Sequence, residues 1–293
     1  MNKTRKVPAW VGDVLLIITA VVWGGGFIGV AKSLDTLGPF YMIALRFLIA
    51  SILMLIVFGK KLKKVTRNDI WAGIWSGTFL FLGFAGQTLA AKYLSVGKLA
   101  FLTALNVLIV PFLARLVFKE HIKKHNIIAS IIAVIGFGFL NLTKDTGFSM
   151  GIGEVLAVVG AIFFAGQITA LGHYTKKIDV CILSVIQMIV CCILGFTCAI
   201  FLEAPPTQLN IEMLLPVGYL GVFSTFVAFL CQTIGQKYTS AARAAIILSL
   251  ESVFGTLFSV MLLSEVLTVN MTIGSFLILL SVVLAEYMHI KIG

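Results

Sequence analysis

Long apolar runs separated by short polar connectors dominate the chain. A helix needs about 20 apolar residues to cross a hydrocarbon core of roughly 30 Å. Ten runs reach that length: 12–32, 39–59, 70–91, 97–118, 126–143, 151–173, 180–202, 213–235, 241–263 and 271–289. Each is continuously apolar rather than alternating, which predicts helices and not barrel strands. Most connectors are too short to fold on their own. The pattern therefore predicts an all-α integral membrane protein with ten transmembrane helices.

The runs fall into two matching sets. Residues 87–122 align without a gap with residues 232–267, at an offset of 145. Gln87-Thr88 meets Gln232-Thr233, Lys92-Tyr93 meets Lys237-Tyr238, Ser95 meets Ser240 and Glu120 meets Glu265. The halves are 1–145 and 146–293, joined near Lys144-Asp145. Five spans in each half is an odd number, so the second half enters the membrane from the opposite side. The expected architecture is two inverted five-helix repeats. Such a pair offers two near-equivalent packings, open to opposite faces, and exchanging them carries a central cavity across the membrane.

Charge sets the orientation. With the N-terminus inside, sixteen Lys and Arg residues fall on the inner side and four on the outer side, while Arg46 and Arg115 lie within spans. Positive charge gathers on the cytoplasmic face, which places both termini there. Lys3, Arg5 and Lys6 precede an apolar stretch that runs to about Lys32. That stretch is too long for a signal-peptide core, so a retained first helix is expected.

Composition narrows the class further. The chain is 60% hydrophobic and 12% charged, with a mean hydropathy of +1.08. Soluble domains carry about 25% charged residues, so the bilayer must solvate most of this surface. The net charge of +10 is spread in short clusters between apolar runs, which excludes a nucleic-acid face. Cys181, Cys191, Cys192, Cys198 and Cys231 all lie within apolar runs and read as small core hydrophobes, not as a disulfide framework. His121, His125, His173 and His289 form no metal-ligand spacing. Hydrolase, zincin and phosphate-loop motifs are absent, so neither an enzyme nor a cofactor is expected.

Polar residues inside the runs are the candidates for chemistry. Glu251 lies eight residues beyond Arg243, roughly 12 Å deep and near the midplane. A carboxylate there costs about 2.5–3.5 kcal/mol on insertion scales, so it should face a wet cavity. It would serve proton coupling or hold a substrate amine; the structural alternative is a carboxyl bonded to neighbouring helices. Asn106 is its mate at offset 145 and is either a site residue or interhelical glue. Trp23 precedes Gly24, Gly25 and Gly26, which permit either close approach of a ligand or close helix packing. The indole of Trp23 suits stacking on a substrate or a cation. Gln167, beside Gly166, occupies the matching part of the sixth span.

Arg46 lies seven residues into the second span, with Gln187 as its mate, and an intramembrane Arg is a functional candidate by default. Gln87 and Gln232 sit toward the loop ends of their spans, where they either contact substrate or cap a neighbouring helix. Glu120 and Glu265 close spans 4 and 9 on opposite faces, which points to gating or fold-level contacts. Asp13 and Glu154 open spans 1 and 6, where the helix dipole favours a carboxylate. Trp10 and Trp71 read as interface anchors, and His173 as a solvated helix end.

Several motifs together resemble the EamA family of the drug/metabolite transporter superfamily over nearly the whole length. They are Trp23-Gly24-Gly25-Gly26-Phe27, Pro39 with Arg46-Phe47, Gly97-Lys98-Leu99-Ala100-Phe101-Leu102-Thr103, Pro111 with Glu120, and Gly136. The second half repeats the plan with Glu154, Gln167, Gln187, Glu251 and Glu265. The resemblance implies ten helices, cytoplasmic termini and movement of small metabolites such as amino acids, export being the expected direction. One departure is Ser252, where members often carry Pro after the Glu of span 9, and it implies a less kinked helix. The resulting expectation is a secondary transporter in a bacterial plasma membrane, a monomer or weak homodimer, with a small-molecule substrate and a proton as candidate coupling ion. A passive facilitator and a non-transporting sensor or scaffold are the rival readings.

Overall fold

The computed structural model describes residues 8–94, 96–119, 121, 123–141, 151–206, 211–263 and 268–292. Ser95, Glu120, Glu265, the Lys144-Asp145 junction and the basic residues Lys3, Arg5 and Lys6 lie outside the described residues, as do the side chains of Lys98 and His289.

The described chain is all-helical. In order it forms α1 (Ala9–Leu34), α2 (Pro39–Phe58), a 3₁₀ turn (Gly59–Lys64), α3 (Arg67–Ala90), α4 (Val96–Ala104), α5 (Asn106–Phe118), α6 (Lys124–Asn141), α7 (Ile152–Tyr174) and α8 (Val180–Leu202). There follow α9 (Ile211–Tyr219), a π-helical segment (Leu220–Val227), α10 (Ala228–Lys237), α11 (Ala241–Leu248), α12 (Leu250–Leu263) and α13 (Val269–Ile292). Helices therefore occupy every apolar run, with ends within a few residues of those expected.

Local chemistry sets the helix starts. Thr66 and Asp69 form a capping box at α3, with Thr66 N donating to the Asp69 carboxylate at 2.7 Å. Asp179 caps α8 by accepting from Cys181 N at 2.8 Å, and Ser240 caps α11 by accepting from Arg243 N at 3.3 Å. Glu154 accepts from Gly151 N at 2.9 Å and so caps α7, as its position at a helix start implies. Asp13 behaves differently. It sits past the first turn of α1, where its carboxylate accepts from Arg243 Nη2 at 2.7 Å. This ion pair is almost wholly buried, and it joins residues 230 positions apart. Arg243 is thus a core residue, not part of a solvated inner loop.

Among the described residues, six helical stretches are long and apolar enough to cross a membrane: Trp10–Leu34, Pro39–Lys64, Ile152–Tyr174, Val180–Leu202, Ile211–Lys237 and Ala241–Leu262. Shorter apolar stretches occupy Leu102–Phe118, Lys124–Phe139 and Thr272–Leu284. α3 is long enough, but Gly73, Gly77, Gly83, Gly86, Ser76 and Gln87 dilute its hydropathy. Large apolar side chains stand exposed on the outer surface, among them Leu116, Phe201 and Ile56. No aqueous fold tolerates so wide a band, and a lipid environment explains it.

Inside, helix pairs link distant parts of the chain. α3 packs on α7, α6 on α13, α2 on α8, and α1 on both α10 and α12. Glycines bring some of these backbones together. A Cβ on Gly86 would lie 2.8 Å from Gly160 Cα and from Leu156 O. Both atoms are backbone and cannot swing away. Gly86→Ala is expected to destabilise the α3–α7 crossing by about 1–3 kcal/mol through overpacking. Thermal unfolding in detergent checks this, with Gly218→Ala as control, because nothing lies within 4 Å of a Cβ there. Equal midpoints for the two variants would contradict the tight crossing.

Candidate functional site

A narrow cavity lies where α1, α2, α3, α4, α5, α7, α10 and α12 converge with the π segment. Its volume is about 60 Å³, room for about two waters. Trp23, Arg46, Gln87, Asn106, Gln167, Gln232 and Glu251 all line it, together with Gly26, Phe27, Val30, Phe84, Thr103, Phe164, Ile168, Ser224 and Phe229. The seven polar or aromatic candidates singled out from the sequence are thus gathered around one space.

Arg46 is the most buried charge there, with 2% of its surface exposed. Its Nε donates to Thr225 Oγ1 at 2.8 Å and its Nη2 to Ser224 Oγ at 3.2 Å. The guanidinium lies 4.6 Å from the Phe84 ring centroid and 5.7 Å from that of Phe47. Among the described residues no carboxylate pairs with it. Two neutral hydroxyls and two ring faces only partly compensate a buried cation.

The π segment positions those hydroxyls. Thr225 Oγ1 donates to Leu220 O, five residues back, at 2.7 Å. The carbonyl of Ser224, in the same segment, accepts from Trp23 Nε1 at 3.0 Å. Such bulges recur at functional sites. With its N–H committed, Trp23 offers only its ring, which tilts against Phe229 at 5.0 Å. The neighbouring glycines divide the two roles proposed for them. A Cβ on Gly24 would strike Gly255 N and Phe254 Cβ at 2.7 Å, and one on Gly25 would strike the Tyr219 hydroxyl, so both serve close packing. Gly26 alone lines the cavity.

Glu251 and Asn106 occupy corresponding places. α5 begins at Asn106 after an interruption at Leu105, and α12 begins just before Glu251 after an interruption at Ser249. At both interruptions the ladder tightens to three-residue spacing, seen in Leu108 N→Leu105 O at 3.0 Å and Ser252 N→Ser249 O at 3.3 Å. The helix breaks without proline; Ser252 does not abolish the discontinuity. Each polar side chain sits in the first turn of a half-helix, where the dipole favours negative charge. Neither makes a hydrogen bond to the protein among the described residues, and both are only partly covered.

The glutamines form a network instead of helix caps. Gln167 Nε2 donates to Gln232 Oε1 at 3.4 Å, and Gln232 Nε2 returns a bond to Gln167 Oε1 at 3.3 Å. Gln167 Nε2 also reaches Gln187 Oε1 at 3.4 Å, and Gln187 Nε2 donates to Thr233 Oγ1 at 3.2 Å. Gln87 Nε2 donates to Thr103 Oγ1 at 3.3 Å. Gln187, fully buried, does not line the cavity but holds the residue that does.

Sequence reasoning missed Ser224, Thr225 and the aromatic wall. A signal for the wall existed: Phe84 and Phe229 are mates at offset 145, and Trp23 and Phe164 at offset 141. Phe84 packs edge-on against Phe164 at 5.2 Å and against Phe229 at 6.0 Å. His173 is not simply solvated, since it stacks on Phe118 at 3.9 Å. All five cysteines are free, and the described residues hold no group of three His, Cys, Asp or Glu able to bind a metal.

A polar, aromatic-walled chamber among membrane-spanning helices defines the class of a membrane transporter. The EamA-like transporter family matches residues 10–142 and again residues 151–287. An uncharacterized transporter of Archaeoglobus fulgidus is 34% identical over 274 residues, covering 94% of this chain and 85% of the relative. The riboflavin transporter ImpX of Fusobacterium nucleatum is 29% identical over 139 residues, covering 44% of this chain and 46% of its own. A crystal structure 16% identical in sequence superposes with a TM-score of 0.82, covering 96% of this chain and 98% of the other, and shares the fold. The chain belongs to the EamA-like transporter family, within the drug/metabolite transporter superfamily, and is a membrane transporter and not an enzyme.

Proposed function

We propose that the protein is a secondary transporter that exports a small metabolite, such as an amino acid, by alternating access between two inverted five-helix repeats. One observation carries the reading. The cavity is shared by Trp23, Arg46, Gln87 and Asn106 from the first half and Gln167, Gln232 and Glu251 from the second, and its Arg and Glu lack protein partners of opposite charge among the described residues. A substrate with an anionic end for Arg46 and an ammonium or donor end for Glu251 would satisfy both. The volume of about 60 Å³ is smaller than most metabolites need, so alternating access would have to widen this cavity to admit a substrate.

The helix pairings support inversion. α2–α8 and α6–α13 pair equivalent helices of the two halves, and α1–α10 is answered by α7–α3. The ends agree as well. Glu203, following α8, accepts from Phe40 N and Tyr41 N at the start of α2, both at 2.9 Å. Lys61, following α2, meets Asp179 at the start of α8 at 2.8 Å. The excess of Lys and Arg on one side supports cytoplasmic termini in a bacterial plasma membrane.

The test is flux of labelled amino acids in proteoliposomes, with and without a pH gradient. Glu251→Gln is expected to abolish acceleration by the gradient while leaving exchange at equal pH measurable. A variant that moves substrate at the full rate with unchanged pH dependence would favour a passive facilitator. Binding without flux in the native protein would favour a sensor or scaffold.

A further inference from the structure

We propose a binding site for an anionic phospholipid on the outer wall of the bundle, with its headgroup in a basic cleft and an acyl chain in the apolar groove below. The cleft, of about 830 Å³, lies between the 3₁₀ turn, the start of α3, the end of α7 and the start of α8. Lys60, Lys61, Lys64, Lys177 and His173 line it, facing the carboxylates Asp69 and Asp179. Both carboxylates are committed. Asp69 closes the α3 capping box, and Asp179 binds Lys61 at 2.8 Å and Cys181 N. Lys60 and Lys64 have no carboxylate partner among the described residues, and Lys177 meets only the His173 ring, at 2.9 Å. The net charge left facing the cleft is positive.

The groove makes the occupant a lipid and not a free phosphate. About 350 Å³ of almost wholly apolar space lies along α3, α5 and α7, lined by Trp75, Phe79, Leu113, Val117 and Phe163, and Tyr174 borders both it and the cleft. Trp71, Trp75 and Phe79 follow one face of α3 at four-residue spacing, from the cleft into the groove. That stripe spans roughly 12 Å of helix, close to the ~15 Å of one hydrocarbon leaflet. Trp71 and Trp75 are half exposed, as interfacial aromatics are. Clustered lysines beside a span are the recognised partner of acidic headgroups. The placement at the cytoplasmic leaflet rests on the orientation proposed above.

The test uses purified full-length protein in detergent and follows its thermal midpoint on titration. Phosphatidylglycerol is expected to raise the midpoint saturably by several degrees. Phosphatidylcholine of the same chain length and inorganic phosphate are expected to leave it unchanged. The triple variant Lys60→Gln/Lys64→Gln/Lys177→Gln alters only exposed side chains. It should bind phosphatidylglycerol on the order of a hundredfold more weakly, if each lysine contributes on the order of fivefold. An equal shift with phosphatidylcholine, an equal shift with inorganic phosphate, or an unaltered shift in the variant would each overturn the proposal. Because the titration needs neither flux nor orientation, a lipid shift in a protein that moves nothing would refute the transport reading alone.

Discussion

Arg46→Gln is expected to weaken substrate binding by on the order of 10–100-fold, because a charge-assisted hydrogen bond is worth about 1.5–3 kcal/mol. The guanidinium is anchored on one edge by Thr225 and Ser224 and pressed against Phe84, which fixes its direction. It also lines the cavity, so its remaining N–H groups are the donors available to an anionic ligand. Arg46→Lys keeps the charge but replaces a planar five-donor fork with a compact ammonium, and should recover only part of the affinity. Stability separates the roles. Removing a buried cation that lacks a carboxylate partner should be nearly neutral or stabilising for the fold. If Arg46→Gln retained full affinity, or if lost affinity always tracked an equal loss of thermal midpoint, Arg46 would be a structural residue and the cavity would have no anion-binding group.

The second large effect concerns the tie between Asp13 and Arg243. Asp13→Asn is expected to cost about 3–5 kcal/mol, since it leaves Arg243 buried without the carboxylate that now lies at 2.7 Å. For a chain of this length that corresponds to roughly 10 °C in thermal midpoint. Asp13→Leu combined with Arg243→Leu should recover most of the loss, because a well-packed apolar pair replaces a buried ion pair at little net cost. Should the double variant fall as far as the single one, the pair would be holding something other than its own charges. The location explains the size of the effect: α1 and α11 come from opposite ends of the chain, and each begins beside this contact.

Much of this site is legible in the sequence. Polar groups at mid-span are expensive in hydrocarbon, so they must meet one another or water. That rule, with the repeat offset, picks out Glu251, Asn106, Arg46 and Gln167; these line one cavity together with Gln87 and Gln232, which the sequence places nearer the loop ends. The same rule could not say which partner each would take. Ser224 and Thr225 look like ordinary small polar residues of an apolar run, and only the π turn aims them at Arg46. Asp13 looked like a dipole-stabilised helix start because Arg243, its partner, is 230 residues away. Gly24 and Gly25 were ambiguous for the same reason, and the nearness of α12 and Tyr219 assigns them to packing.

Hydropathy along the chain is enough to place the helices and to mark the polar residues that must be hidden from lipid. These follow from hydrocarbon thickness and from the cost of an unpaired polar group, which act locally on each run. Packing in three dimensions sets the broken helices before Asn106 and Glu251, the hydroxyl clamp on Arg46, the buried tie from Asp13 to Arg243, and the meeting of the basic cleft with the apolar groove at Tyr174. Those depend on which distant helices touch and in what register, and no local free-energy rule along the chain encodes that choice.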